Sequence, residues 1–208
     1  MSAATGVSAP PGHRRLYAAA RDEGPAAALR ALLARHGPHA LDGGAAGHAV
    51  LPEPAGPVDG RVLRHYPPPA GPVILVRRVP DAAPPAPPDP PALLWIRLGL
   101  TAGLRTATLD RLGERASGDG TILMHQLVKA QAAEAYAGEL ELTAHAASLA
   151  PAGATTARLR HLHSQITRTD RAWLRLLGAH GFLRTGPGGV AEVSELLADV
   201  YLPAEEER

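Results

Sequence analysis

The sequence predicts a mostly α-helical protein in which a proline-rich N-terminal segment precedes an antiparallel four-helix bundle. Two observations carry this prediction. All but three of the 21 prolines lie in residues 1–91, and proline restricts regular structure because it fixes φ and removes a backbone donor. From residue 92 onward, apolar residues recur at the three- and four-residue spacing that places them on one face of a helix.

The first 79 residues predict a satellite segment rather than a self-sufficient domain. Residues 14–36 have a helical composition, and Gly24-Pro25 should end one helix and begin the next, since proline suits a first helical turn. The β-prone runs 62–66 and 73–79 indicate one hairpin, or a strand laid against a partner. A two-stranded hairpin is only marginally stable alone.

Residues 80–91 predict a semi-rigid linker, because their paired prolines favour extended backbone. A domain boundary is therefore expected near residue 92. The helical bundle domain then covers residues 92–203, and a solvated acidic tail covers residues 204–208.

Three apolar stripes and one shorter segment predict the helices of the bundle. The stripes consist of Leu93, Ile96, Leu100, Leu104 and Ala107; of Met124, Val128, Ala132, Ala135, Leu142, Ala146 and Leu149; and of Leu159, Leu162, Ile166, Trp173, Leu177 and His180. Glu139 is the only charged residue at a position of the second stripe. Thr155 or Thr156 suits the start of the third helix and Gly181 its end, and residues 190–200 fit a short fourth helix.

Charge and composition exclude several classes of partner. The formal net charge is +1, so no overall field attracts nucleic acid or an anionic membrane. Aromatic residues make up 3% of the chain, which argues against a base-stacking surface. The sequence shows neither the apolar core of a signal peptide nor a run near the roughly 18 apolar residues of a membrane span. We therefore expect a cytoplasmic protein without a nucleic-acid or membrane partner.

Familiar site motifs are largely absent. The lack of cysteine excludes disulfides, thiolate metal sites and a catalytic cysteine. No glycine-rich nucleotide motif is present, and no two of the ten histidines lie four residues apart, so we predict no metal site. Arg168, Arg171 and Arg175 share one predicted helical face. Such a face is usually solvated, although a phosphate-bearing ligand would suit it.

Three segments of the helical half, taken in order, carry a resemblance to a known family. Residues 98–115 (LGLTAGLRTATLDRLGER) are rich in small residues, and Gln126 follows Arg115 by eleven positions across a turn that contains Gly118-Asp119. Residues 176–187 (LLGAHGFLRTGP) form a glycine-rich turn. Together they resemble the C-terminal four-helix domain of the acyl-CoA dehydrogenase family, over residues 93–203.

The resemblance implies a flavin cofactor shared between subunits. In the family, the corresponding Arg and Gln reach FAD bound by the neighbouring subunit, and the glycine-rich turn lets the backbone approach the adenosine end. The cofactor-binding residues it implies are Arg115, Gln126, Gly178 and Gly181. The chemistry is consistent, because a guanidinium binds a pyrophosphate bidentately and glycine permits close backbone contact.

The same resemblance implies that the catalytic base is lost. An ungapped count from Phe182 places Leu202 where the family has its glutamate, and residues 81–113, which contain the alternative position, have no Glu. Leucine cannot transfer a proton, so we assign no catalytic residue; a small alignment slip would bring Glu205 to the position instead. The 91 proline-rich residues cannot encode the family's N-terminal and β domains.

Three functions remain open at this stage. The first is a degenerate acyl-CoA dehydrogenase-like subunit that forms a homo- or hetero-oligomer through its bundle. It would complete the FAD site of a full-length flavoprotein and be inactive alone. The second is a small stand-alone enzyme for non-redox chemistry on an acyl thioester, with His125 or His163 as acid–base group. The third is a structural helical interaction module without ligand.

Overall fold

The protein is mostly α-helical with a small antiparallel sheet, which confirms the predicted fold class at this level. The computed structural model describes residues 9–42, 44, 47–53, 60–67, 69, 71–78, 89–149 and 154–202. Within these residues the helices are α1 (Pro11–Glu23), α2 (Pro25–His36), α3 (Pro90–Glu114), α4 (Gln126–Ala147), α5 (Thr156–Leu176) and α6 (Pro187–Tyr201). The strands are β1 (His48–Pro52), β2 (Gly60–Tyr66), β3 (Val73–Arg78), β4 (Ala116–Ser117) and β5 (Gly120–Thr121), and 3₁₀ turns cover Ile122–Met124 and Gly178–Phe182.

The predicted break at Gly24-Pro25 is confirmed, and it separates α1 from α2. Gly24 has a φ of 90°, a left-handed backbone that glycine adopts at little steric cost. Pro25 occupies the first turn of α2, where its missing N–H has no intrahelical partner to lose. The two helices pack against each other, and α1 also lies against α3.

The predicted hairpin is confirmed as β2 and β3, which pair antiparallel with Tyr66 opposite Val73. Strand β1 pairs with the other edge of β3, so the sheet has the order β1-β3-β2. Strand β1 was not predicted, because its five residues show no alternating pattern that distinguishes them from the segment around them. The third strand gives the hairpin the support that it lacks alone.

Helix α3 is the centre of the helical packing. Every residue in the range 92–102 is buried, because α1, α4, α5 and α6 all pack on α3. Helices α3 and α5 run parallel, since Arg97 contacts His163 while Thr101, further along, contacts Asp170. Helices α4 and α6 run in the opposite direction, and each contacts both α3 and α5.

The N-terminal elements and the helical half share one hydrophobic core. Its buried residues come from α1, α2, the three-stranded sheet, α3 and α6, and include Leu29, Val50, Ile96 and Leu197. The N-terminal elements therefore contribute to the main core instead of forming a separate appendage. Helix α3 begins at Pro90, so the end of the predicted linker is helical. Residues 80–88 of the linker and the acidic tail lie outside the described residues, and the domain boundary stays a prediction.

Helix α5 begins as predicted but ends earlier than predicted. Thr155 is its N-cap, and the Thr155 hydroxyl accepts a hydrogen bond from a backbone N–H of the first turn. The helix ends at Leu176, and the left-handed glycine that follows is Gly178, with a φ of 60°. Gly181 is instead buried in the next 3₁₀ turn, where a Cβ atom would overlap the Leu174 carbonyl oxygen.

Candidate functional site

The predicted flavin residues Arg115 and Gln126 flank the short connection between α3 and α4. Arg115 follows α3, Gln126 begins α4, and both are exposed. Strands β4 and β5 form a hairpin between them, and the Ile122 N–H donates to the Arg115 carbonyl oxygen at 2.9 Å. Within the described part of the chain, no hydrogen bond or ion pair engages the Arg115 guanidinium.

The other two predicted flavin residues, Gly178 and Gly181, follow α5. Because α3 and α5 run parallel, the segments after both helices lie at the same end of the helical layer, where α4 begins. Gly178 is exposed and Gly181 is buried. The structure thus places the four predicted residues at one end, although no backbone hydrogen bond in the described ranges joins the two glycines to Arg115 or Gln126.

Four large apolar side chains are exposed at this end of the molecule. Leu127 is 70% exposed and Met124 59%, at the start of α4, while Phe182 is 59% and Leu183 51% exposed, after α5. We call these four residues the apolar end. Met124 and Leu127 are one pair and Phe182 and Leu183 another, and exposed apolar surface of this kind suits contact with another molecule.

Leu202, at the predicted base position, directly follows α6 and is half-buried. Its neighbour Tyr201 is buried, and the Tyr201 hydroxyl accepts a hydrogen bond from the Val50 N–H and donates one to the Leu41 carbonyl oxygen, both at 2.9 Å. Burial raises the pKa of Tyr201. Tyr201 therefore attaches the end of α6 to β1, and the alternative base Glu205 lies outside the described residues.

A buried polar network that the sequence did not predict is centred on Arg97 of α3. The Arg97 side chain is completely buried. Its Nε donates to Ser194 Oγ at 3.0 Å and its Nη2 to Thr167 Oγ1 at 2.8 Å. Its Nη1 donates to His163, to Nδ1 at 3.0 Å and to the carbonyl oxygen at 3.2 Å. The one signal in the sequence was a charged residue within the apolar run ALLWIRLGL, residues 92–100.

Asp170 of α5 supplies the counter-charge of this network. It accepts hydrogen bonds from Thr101 Oγ1 at 2.6 Å and from Ser194 Oγ at 3.2 Å. Ser194 therefore connects the two charges, because it accepts from Arg97 and donates to Asp170. Burial raises the pKa of Asp170 to about 6, while the nearby Arg97 and the two hydroxyl donors act in the opposite direction.

His163 is held neutral and in one tautomer by the network. Burial, with the adjacent Arg97 guanidinium, lowers the pKa of His163 to about 3. Because an arginine side chain can only donate, Nδ1 must accept, and the ring proton then lies on Nε2. Nε2 is buried and has no partner among the described residues.

These properties argue against His163 as an acid–base group, because a base with such a low pKa is weak at neutral pH. His125, the other candidate, is exposed and forms a hydrogen bond with Ser117 Oγ at 2.8 Å.

A cleft of about 520 Å³ lies between α5 and α6, beside the Arg97 network. We call it the α5–α6 cleft, and its lining consists of Arg97, Arg160, His163, Ser164, Thr167, Arg168, Arg171, Glu195, Ala198, Asp199 and Leu202. Arg171 forms an ion pair with Glu195 at 2.8 Å. The arginine face that the sequence predicted on α5 thus contributes two residues, Arg168 and Arg171, to this cleft.

Glu139, the charged residue in the second apolar stripe, is a second buried acid. Arg105 of α3 donates to Glu139 Oε1 at 2.5 Å, which explains how α4 accommodates a carboxyl group in its buried face. Burial raises the pKa of Glu139 to about 7, even though Arg105 lowers it. Oε2 has no partner within the described ranges.

No protein-family model matches the sequence, and no curated protein is significantly similar to it. The resemblance to acyl-CoA dehydrogenases therefore stays a prediction. In the described part of the chain, no group of three or more His, Asp or Glu residues is arranged to hold a metal ion. None of the helices described has both the length and the apolar character needed to cross a membrane.

Proposed function

We propose that this chain is a non-catalytic helical subunit that pairs with a full-length flavoprotein resembling an acyl-CoA dehydrogenase and helps to hold its FAD. In this proposal α3–α6 act as an antiparallel four-helix bundle, and the end that contains Arg115 and Gln126 faces the partner. A homo-oligomer would use the same surface.

The observation that carries the proposal is the coincidence of the four predicted residues with the apolar end. Leu127 and Phe182 expose most of their side chains to solvent and directly follow Gln126 and Gly181, which were chosen from the sequence alone. Burying such side chains against another chain is favourable, at about 25 cal/mol per Å² of apolar area. Pairing through this surface would bring Arg115 and Gln126 to the partner.

The residues at this end suit the anionic part of a flavin dinucleotide. Arg115 is exposed at the end of α3 and has no ion pair with another described residue, so its guanidinium is available to a pyrophosphate. Gln126 offers a neutral amide donor, and the exposed Gly178 leaves room for backbone contact. FAD would supply the redox chemistry, and these residues would bind and orient it.

The proposal assigns no catalytic residue to this chain. Leu202 carries no proton-transfer group. The hydroxyl of its neighbour Tyr201 is already hydrogen-bonded to the Val50 N–H of β1 and to the Leu41 carbonyl oxygen. We therefore expect no FAD-dependent acyl-CoA oxidation by the purified chain with a dye acceptor. The neutral, buried state of His163 also argues against the non-redox enzyme.

Co-expression with a full-length acyl-CoA dehydrogenase from the same genome tests the pairing. We expect one complex in size exclusion that carries a flavin spectrum. Leu127→Glu should abolish the complex, because it places a charge in the apolar end. Leu63→Glu is the matched control, because Leu63 is also exposed, at 43%, but lies on β2.

Separate elution of the two wild-type proteins, or equal effects of both variants, would contradict the pairing. A complex without flavin absorbance would support the structural module instead.

A further inference from the structure

We propose that the α5–α6 cleft is a binding site for a phosphate-bearing small molecule. This inference does not depend on the flavin proposal, because the cleft lies along α5 and α6 and includes none of Arg115, Gln126, Gly178 or Gly181.

One arginine of the cleft, Arg168, has no acidic partner and is available to an anion. Four arginines and two acids line the cleft: Arg97, Arg160, Arg168 and Arg171, with Glu195 and Asp199. Asp170 supplies the counter-charge of Arg97 through Ser194, and Arg160 also has an interaction partner. Glu195 is already paired with Arg171. Arg168 is exposed, and no described acid forms an ion pair with it. A guanidinium binds phosphate with two parallel hydrogen bonds, which makes arginine the usual residue at such sites.

A buried donor without a partner distinguishes this cleft from an ordinary solvated arginine face. His163 lines the cleft and is 2% exposed. Since Arg97 donates to Nδ1, the proton lies on Nε2, and Nε2 has no acceptor among the described residues. Leaving a buried donor unsatisfied is unfavourable, and a ligand oxygen would satisfy it.

One hydroxyl group and the dimensions of the cleft support the same ligand class. Thr167 lies on the α5 side, and its hydroxyl accepts from Arg97 and keeps its proton to donate to a phosphate oxygen. The Ser164 hydroxyl already donates to the His161 carbonyl oxygen. The cleft volume of about 520 Å³ is larger than a bare phosphate needs and falls in the range of small-molecule sites. No Phe, Tyr or Trp is among the described residues of the lining, so the ligand is held through its phosphate rather than by stacking. Asp199, across the cleft on α6, would accept from a hydroxyl group next to that phosphate.

Titration of the full chain with inorganic phosphate tests this site. We expect saturable binding by calorimetry at a constant ionic strength set with NaCl, since simple screening would not saturate. The ¹⁵N spectrum of His163 should show the proton on Nε2 in the free protein, and the Nε2 resonance should shift along the same binding curve.

Arg168→Gln should weaken phosphate binding about tenfold, because it removes one charge-assisted contact worth about 1.4 kcal/mol. Arg158→Gln is the matched control: it makes the same change of charge on α5 but does not line the cleft. We expect this variant to bind phosphate like the wild type. Both arginines are exposed, so both variants should melt at the wild-type temperature.

Three results would overturn the proposal. They are no saturable binding by the wild-type chain, equal loss of affinity in both variants, and a free protein in which His163 carries its ring proton on Nδ1.

Discussion

At the scale of single residues, the buried Glu139 makes the stability of the protein depend on pH. The pKa of Glu139 is raised to about 7 by burial, against Arg105 on α3 and with Asp170 on α5 adding to the rise. The unfolded chain releases this proton near its ordinary pKa of about 4.3. Between these values the unfolded state binds fewer protons than the native state, so the free energy of unfolding falls as the pH rises.

Glu139→Gln should remove this part of the pH dependence. At pH 5 the native Glu139 is neutral, so a neutral amide of the same shape should change stability little. At pH 8 the variant should gain about 2 to 3 kcal/mol relative to the wild type, because the wild type then carries a buried charge. Urea unfolding of both proteins at the two pH values measures the difference. The contribution of His163 cancels, because both proteins contain it. If the two proteins differ in free energy of unfolding by the same amount at pH 5 and at pH 8, the pKa of Glu139 is not raised by burial.

Most of the site could not be predicted from residues taken one at a time. The arginine face of α5 follows from helical spacing, and two of its members do line the cleft. The partners of Arg97 lie between 66 and 97 positions away along the chain, and no local pattern encodes such contacts. The unusual presence of Arg97 in an apolar run was detectable, but its role depends on the packing of three helices.

At the scale of elements, helix α1 packs closely on α3 because α3 presents glycine there. A Cβ atom on Gly99 would overlap the Tyr17 carbonyl oxygen and crowd Ala20, both on α1. Gly113, near the other end of α3, is exposed, and the nearest atom to its Cβ would be a Leu123 methyl at 3.9 Å. The same substitution should therefore act oppositely at the two positions.

Gly99→Ala should destabilise the protein by about 1 to 3 kcal/mol, because the added methyl group forces α1 away from α3. Gly113→Ala should stabilise it by up to about 1 kcal/mol, since alanine loses less backbone entropy in a helix. Thermal and urea unfolding of both variants give the comparison. Similar effects of the two substitutions would mean that the α1–α3 contact does not depend on a glycine.

Elements with a long or well-punctuated pattern were predictable, and the others were not. The spacing of apolar residues predicted α3, α4 and α5, and the Gly24-Pro25 pair predicted the break between α1 and α2. The end of α5 was placed too late because two glycines follow it, and sequence spacing does not show which one adopts positive φ. Strand β1 was missed because its pairing with β3 is a tertiary contact.

At the scale of the whole molecule, the shared core makes the N-terminal elements part of the fold. Leu29 and Val50 pack in the same cluster as Ile96 of α3 and Leu197 of α6. The proline distribution divides the sequence into two parts but does not divide the core.

A fragment of residues 89–202 should therefore be much less stable than the full chain. Removing the N-terminal elements exposes apolar faces of α3 and α6 that are buried in the full chain, and each large side chain exposed costs about 1.5 to 3 kcal/mol. Circular dichroism melting of the fragment beside the full chain measures the loss. A fragment that melts cooperatively at the temperature of the full chain would show that the helical half is an independent domain.

The most direct test of the proposed function is the FAD content of the co-purified complex across variants of Arg115. Arg115→Ala should retain FAD about ten- to hundredfold more weakly, because a hydrogen bond to a charged group contributes about 1.5 to 3 kcal/mol. Arg115→Lys should recover part of the loss, since a point charge cannot bind bidentately, and Gln126→Ala should cost less. Arg111→Ala, an exposed arginine of the same helix, is the control and should retain FAD normally. Unchanged FAD content in an intact complex with Arg115→Ala would contradict the account and favour a structural module without ligand.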